Sequence, residues 1–223
     1  MTAAEVKICG ITDEATLERI LSYPIDYIGF MFAPSKRRIT AAQAGRFLEL
    51  MRATGLASLP RTVGVFVNPT EEYMSEVMEQ ARLDVIQLHG QESPFLCRYA
   101  RDKFGVKVFK VISIRPDSGS KEAEEQLSPY RGAADAILLD TFEPVHGGGG
   151  GKTFAWDLIL GYREAAHKLG MKLLVAGGLT SDNVAGLIER YRPDGVDVSS
   201  GVETEGVKDS TKIQAFVERV KGL

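Results

Sequence analysis

The sequence predicts an α/β fold, a closed (β/α)8 TIM barrel, with residues 1–223 forming a single domain. Three observations lead there. Short runs rich in Val, Ile and Leu recur along the chain, each is followed by a stretch with helical spacing, and about eight such units fit into 223 residues. Strands this uniformly apolar, separated by helices, are parallel strands covered on both faces. A doubly wound open sheet usually needs fewer units, which favours the closed barrel with short connections.

The units follow in order. VKIC (6–9) leads into DEATLERILS (13–22), DYIGFMF (26–32) into AAQAGRFLELM (41–51), and TVGVFV (62–67) into EEYMSEVMEQA (71–81). VIQLH (85–89) precedes PFLCRYARDKF (94–104), and KVFKVISI (107–114) precedes a polar helix around 121–127. AILLD (136–140) comes before AWDLILGYREAAHKL (155–169), KLLVAGG (172–178) before DNVAGLIERY (182–191), and VDVSSG (196–201) before STKIQAFVERV (210–220). The punctuation agrees with this period: Asp13 and Ser181 stand where N-caps are expected, Pro69 follows the third strand, and Gly170 follows a helix end. No linker or repeat of fixed sequence divides the chain, and the one biased tract is HGGGGGKT at 146–153.

Composition bounds the function. A 44% hydrophobic, 26% charged chain has ample material for a core. Its 27 basic and 30 acidic residues are spread out and give a net charge of −3, so no basic stripe points to nucleic acid. No apolar run reaches the roughly 18 residues that span a bilayer, and the N-terminus lacks a secretory layout, which makes the cytoplasm the expected compartment. Two cysteines, Cys9 and Cys97, are too few for a disulfide framework or a zinc site. The histidines His89, His146 and His167 lie apart in the sequence, so a His-rich metal cluster is not visible. Monomer and homodimer both stay open.

In such barrels the reactive groups come from the C-terminal ends of strands and the loops after them. Cys9 ends the first strand. A strand cysteine is also a common small core residue, but alternation puts Lys7 and Cys9 on one face and Val6 and Ile8 on the other. The apolar pair suits the helices, which sends lysine and thiol inward, and an ammonium close to a thiol favours the thiolate. Cys97 lies in a helical pattern and is expected to pack in the core. Asp140 closes AILLD; it either caps the following loop or points inward with Ala136 and Leu138, where desolvation holds a carboxyl protonated. A thiolate and a carboxylic acid at two strand ends make an acid–base pair.

The small polar loops VAGGLTSDNV and VDVSSGVET follow the last two strands, and Gly177, Gly178, Ser199, Ser200 and Gly201 are the expected phosphate binders. Their glycines alternatively serve only as turn formers. HGGGGGKT looks like a nucleotide-binding P-loop, but His146 occupies the position where that motif requires glycine. It reads instead as a βα loop over the site, with Lys152 either a solvated charge or within reach of a substrate anion. Arg37, within Lys36-Arg37-Arg38 after the second strand, is a candidate for a carboxylate or phosphate, and His89 shares a strand face with Gln87.

KICGIT, GFMFAPSKRRI, VGVFVN, VIQLHG, ILLDT, GKTFAW, LLVAGGLTSDNV and VDVSSGVE together resemble the phosphoribosylanthranilate isomerase family, in order and spacing, over essentially the whole chain. The resemblance implies a metal-free and cofactor-free Amadori rearrangement of a small phosphosugar–anthranilate substrate in tryptophan biosynthesis. It implies that Asp140 is the general acid that opens the ribose ring and Cys9 the base that takes the C2′ proton. Arg37 would hold the anthranilate carboxylate, the two late loops the phosphate, and Lys7, Gln87, His89 and Asp197 would line the pocket. Two departures stand out: Ala155 replaces an aspartate common in the family, and the glycine run is longer than usual. A histidine-pathway isomerase would carry paired aspartates at strands one and five, and a ribulose-phosphate epimerase a metal-ligand cluster; neither pattern fits. A phosphosugar sensor would need no acid–base pair.

Overall fold

The computed structural model describes residues 4–114, 122–140 and 156–222. Strand and helix alternate as β1 (Glu5–Cys9), α1 (Glu14–Ile20), β2 (Tyr27–Met31), α2 (Ala41–Ala53), β3 (Arg61–Phe66), α3 (Glu71–Gln80), β4 (Val85–Leu88) and α4 (Pro94–Phe104). They continue as β5 (Lys107–Ser113), α5 (Glu122–Leu127), β6 (Ala136–Asp140), α6 (Ile159–Lys168), β7 (Lys172–Ala176), α7 (Val184–Tyr191) and β8 (Gly195–Val198). A two-stranded hairpin, β9 (Glu203–Thr204) and β10 (Val207–Lys208), precedes α8 (Ser210–Lys221). The first eight strands pair in parallel in sequence order and β8 closes back onto β1, so the expected TIM barrel is the observed fold.

The period of two sorts the strand residues into an outer and an inner core. Val6, Ile8, Ile28, Phe30, Ile86, Leu88, Ile137 and Leu139 pack outward against the helices. Tyr27, Val63, Val65, Val85, Phe109, Val111, Leu138 and Leu174 fill the interior together with Cys9, and the Tyr27 and Phe109 rings meet edge to face at 5.3 Å. Cys97 is fully buried in the outer core, as its helical setting predicts.

Asp13 caps α1 by accepting from Thr16 N at 2.8 Å, and Thr40, Thr70, Ser93 and Asp209 cap α2, α3, α4 and α8 in the same way. Ser181 is not the cap that its position suggests. α7 begins at Val184, and Asn183 just before it turns its side chain back into the loop, accepting from Thr180 N at 2.9 Å and donating to Gly178 O at 3.0 Å. Fixing that loop takes the polar side chain that would otherwise cap the helix.

The N-terminal rim carries a repeated device. Asp26, Asp84, Asp135 and Asp194 each stand one residue before an even-numbered strand. Their carboxylates accept from Val6 N, Thr62 N, Val108 N and Leu173 N of the preceding odd strand at 2.7–2.8 Å. The same aspartates donate their own N–H to the carbonyls of those four residues. Their carbonyls accept from Arg61, Lys107, Lys172 and Glu5, the first residues of the next odd strands. Each aspartate thus ties three strands at the end away from the reactive rim.

Candidate active site

At the opposite rim, β1 delivers Lys7 and Cys9 to the interior. Lys7 is fully buried, and its Nζ donates to Asp197 Oδ1 on β8 at 2.9 Å. Gly29 is the β2 partner of Cys9 in the sheet. A Cβ there would lie 2.9 Å from Cys9 Sγ and 3.1 Å from Lys7 Nζ. The bare Cα of Gly29 is therefore the floor on which sulfur and ammonium sit together. Gly10 then turns the chain at φ +83, and a Cβ on it would meet Arg37 Cδ at 2.6 Å, so this position needs glycine twice over.

Lys7 pulls the thiol down as expected, but burial of the sulfur outweighs it. Burial raises the Cys9 pKa, Lys7 pulls it down, Asp197 pushes it up again, and the net direction is upward. The chief physical reason is burial of the sulfur, and the Lys7 ammonium that opposes it is also engaged by the Asp197 carboxylate. For Lys7 burial acts to lower the pKa, but Asp197 and Cys9 outweigh it and the ammonium form is held above its ordinary range.

Arg37 reaches the same region from the loop after β2, engaged by a group that sequence reasoning missed. Its Nε and Nη2 donate to Glu203 Oε1 and Oε2 at 2.6 and 2.7 Å. Glu203 Oε1 also accepts from Lys208 Nζ at 2.6 Å, and that ammonium reaches Ser199 O at 2.9 Å and Ser199 Oγ at 3.2 Å. Ser199 in turn donates its hydroxyl to the Cys9 carbonyl at 3.1 Å. The hairpin makes this cluster: Glu205 and Gly206 take φ +52 and +82 at its tip, the left-handed pair of a tight two-residue turn, which returns Lys208 beside Glu203. The Glu-Gly pair between VET and VK was the available signal. Burial raises Glu203, but Arg37 and Lys208 outweigh it and hold the carboxylate below its ordinary value.

Asp140 ends β6, on the strand face that carries Ala136 and Leu138 into the interior. Its side chain keeps 23% exposure at the mouth, with His89 Nε2 at 3.4 Å from Oδ2. Gln87 is buried on β4, and its Oε1 has no hydrogen-bond partner among the described residues, an orphan acceptor in the barrel wall. Gly177 and Gly178 take φ +95 and +63 after β7, and Ser200 and Gly201 open a short 3-10 turn after β8. The Gly201 Cα presses on the Leu179 carbonyl so closely that no side chain fits there, which brings the two late loops into contact. The glycine-rich tract 146–153 with His146 and Lys152, and also Ala155, lie outside the described residues. Among the described residues no group of three or more His, Cys, Asp or Glu side chains could hold a metal ion.

The arrangement can move protons at two points of one small ligand while cationic groups and loop backbone hold its ends. A sequence model of the family described as N-(5'phosphoribosyl)anthranilate (PRA) isomerase matches residues 6–219. The N-(5'-phosphoribosyl)anthranilate isomerase of Brevibacillus brevis is 43% identical over 216 residues, 97% of this chain and 93% of the relative. The crystal structure of phosphoribosyl anthranilate isomerase from Thermotoga maritima is similar with a TM-score of 0.81 at 39% identity, covering 99% of this chain and all of that one. A phosphoribosyl anthranilate isomerase solved in complex with reduced 1-(o-carboxyphenylamino)-1-deoxyribulose 5-phosphate is similar with a TM-score of 0.78 at 36% identity, covering 99% of this chain and 100% of that one.

Proposed function

This chain belongs to the N-(5'-phosphoribosyl)anthranilate isomerase family, and from that premise we propose that Cys9 and Asp140 are the base and acid of its reaction. The enzyme converts the aldose N-(5'-phosphoribosyl)anthranilate to the ketose 1-(o-carboxyphenylamino)-1-deoxyribulose 5-phosphate, an internal oxidation and reduction in tryptophan biosynthesis. Asp140 gives a proton to the ribose ring oxygen, the bond from C1′ to that oxygen breaks, and an iminium forms. The iminium acidifies the neighbouring C–H, so the Cys9 thiolate can then remove the C2′ proton and leave an enolamine. Loss of the 2′-hydroxyl proton and protonation at C1′ complete the ketone.

The observation that carries this assignment is the placement of Cys9 and Asp140 at the C-terminal ends of β1 and β6, on strand faces turned to one interior. His89 beside Asp140 holds the acid in place. The contact between the late loops, with left-handed glycines at 177 and 178, supports a phosphate site of backbone N–H groups at Gly177, Gly178, Ser200 and Gly201. Ser199, engaged with Cys9 O, acts there by fixing the loop. Arg37 meets the anthranilate carboxylate with the N–H groups that Glu203 does not use, and Gln87 and Asp197 line the pocket. The proposed compartment is the cytoplasm, where a reducing milieu keeps both cysteines as thiols.

Freshly made phosphoribosylanthranilate should lose its anthranilate fluorescence signal in the presence of the enzyme. Cys9→Ala and Asp140→Ala should each abolish turnover while a product analogue still binds; near-normal kcat in either variant removes that residue from the mechanism. Arg37→Ala should weaken substrate binding by about 2–3 kcal/mol, the scale of a hydrogen bond to a charged group, and an unchanged KM would contradict its role.

A further inference from the structure

Cys9 must lose a proton in an interior where burial opposes any charge. Among the described residues, the charged side chains that act on its sulfur are Lys7 from its own strand, Asp197 from β8, Lys208 from β10, and Arg37 from the loop after β2. Lys208 and Arg37 share Glu203, hydrogen-bonded to it at 2.6–2.7 Å, and that carboxylate takes up much of their charge. Leu174 and Ala176, the β7 members of the same inner cluster, are uncharged. Lys7 is different. Its Nζ lies beside Sγ over the bare Gly29 Cα, it is fully shielded from water, and among the described residues Asp197 is the carboxylate that pairs with it, at 2.9 Å.

We propose that Lys7 is a positioning residue for the base: its ammonium is the counter-charge that lets Cys9 ionise, and Asp197 is the brake that sets how much of that charge reaches the sulfur. This rests on the reading of Cys9 as the base. One ammonium faces two groups that compete for it, a permanent carboxylate and a thiolate that exists only when the thiol proton has left for solvent. The carboxylate holds Lys7 protonated in a site that would otherwise discharge it, and its own charge adds to the burial that raises the thiol. In the cycle the thiolate then takes the C2′ proton, and the electron pair of that C–H bond stays on the substrate as the enolamine.

The test reads the thiol directly, on the full chain without substrate. The rate of alkylation by iodoacetamide and the thiolate absorbance are followed against pH, with Cys9→Ala subtracted to remove Cys97. Asp197→Asn should move the ionisation midpoint to lower pH, with about tenfold more thiolate at neutral pH, the consequence of removing about 1.4 kcal/mol of opposing interaction. Lys7→Met alone strands the Asp197 charge in the interior and can unfold the protein. The charge-balanced double variant Lys7→Met/Asp197→Asn is therefore measured beside it and should move the midpoint above that of the parent. Its kcat should fall about tenfold at neutral pH and recover as pH rises. A midpoint unmoved or raised in Asp197→Asn, or unmoved or lowered in the double variant, overturns the proposal even where the parent isomerises its substrate. A parent that fails to consume phosphoribosylanthranilate, with midpoints that move as stated, overturns the isomerase reading and leaves the electrostatic arrangement standing.

Discussion

At the scale of single residues, the geometry around Sγ is set by a missing atom. Gly29→Ala would place a methyl carbon 2.9 Å from the sulfur and 3.1 Å from the Lys7 ammonium, closer than packed atoms tolerate, so one of them has to move. A displacement approaching 1 Å at a reacting atom costs on the order of a hundredfold in rate. Gly29→Ala should therefore lower kcat by about ten- to a hundredfold with little change in the thermal midpoint, which steady-state kinetics and calorimetry separate. The raised Cys9 pKa has its own signature. A base must be deprotonated to act, so log kcat/KM should keep climbing with pH past the ordinary thiol value of about 8.5; a plateau below that point would contradict it. That Lys7 and Cys9 share an inward face was legible from the strand's period of two. The direction of the thiol's shift was not, because it depends first on how completely the fold buries the sulfur and then on Asp197, 190 residues along the chain from Lys7.

At the scale of elements, buried carboxylates fasten loops at the reactive rim. Glu92 lies under the loop after β4, accepting from Lys110 Nζ at 2.9 Å and from the N–H groups of Asn68 and Gly90 at 2.8 and 2.9 Å. Burial raises its pKa, but Lys110 and the Asn68 N–H outweigh that and hold it low. Removing the carboxylate in Glu92→Ala leaves a buried ammonium without its counter-charge, held by the carbonyls of Leu88, Gly90 and Val111, a loss of about 3–5 kcal/mol that urea unfolding would read. The lowered pKa values of Glu92 and Glu203 also fix an acid limb. Their contribution is complete above the ordinary carboxylate range of about 4.3 and is lost as pH falls through their folded values. Thermal midpoints should drop over that acidic interval, and Glu203→Gln should flatten part of the drop. The helix starts were largely readable from caps such as Asp13. The hairpin was not, since strands of two residues have no period to detect, and Lys110 is an ammonium hidden inside the apolar run KVFKVIS.

At the scale of the molecule, the eightfold alternation of apolar strand and amphipathic helix was enough to specify the barrel, because parallel strands covered on both faces leave few other closures. The fourfold aspartate device was hidden, since each member is one residue in a different sequence context and only the register brings the four to one rim. Asp84→Ala and Asp135→Ala should each cost about 1 kcal/mol, the net scale of a hydrogen bond. Their effects should sum in the double variant, as for sites without shared partners, and kcat should stay at the parent value. Strong coupling between the two in urea unfolding, or a fall in turnover, would contradict this separation.

Those aspartates have a consequence for how such a molecule can change over generations. They clasp the staves at the mouth where nothing reacts, and each clasp joins only neighbouring staves. Exchanging the loops at the other mouth leaves the hoop intact, so a descendant can acquire a new substrate without first having to relearn how to fold.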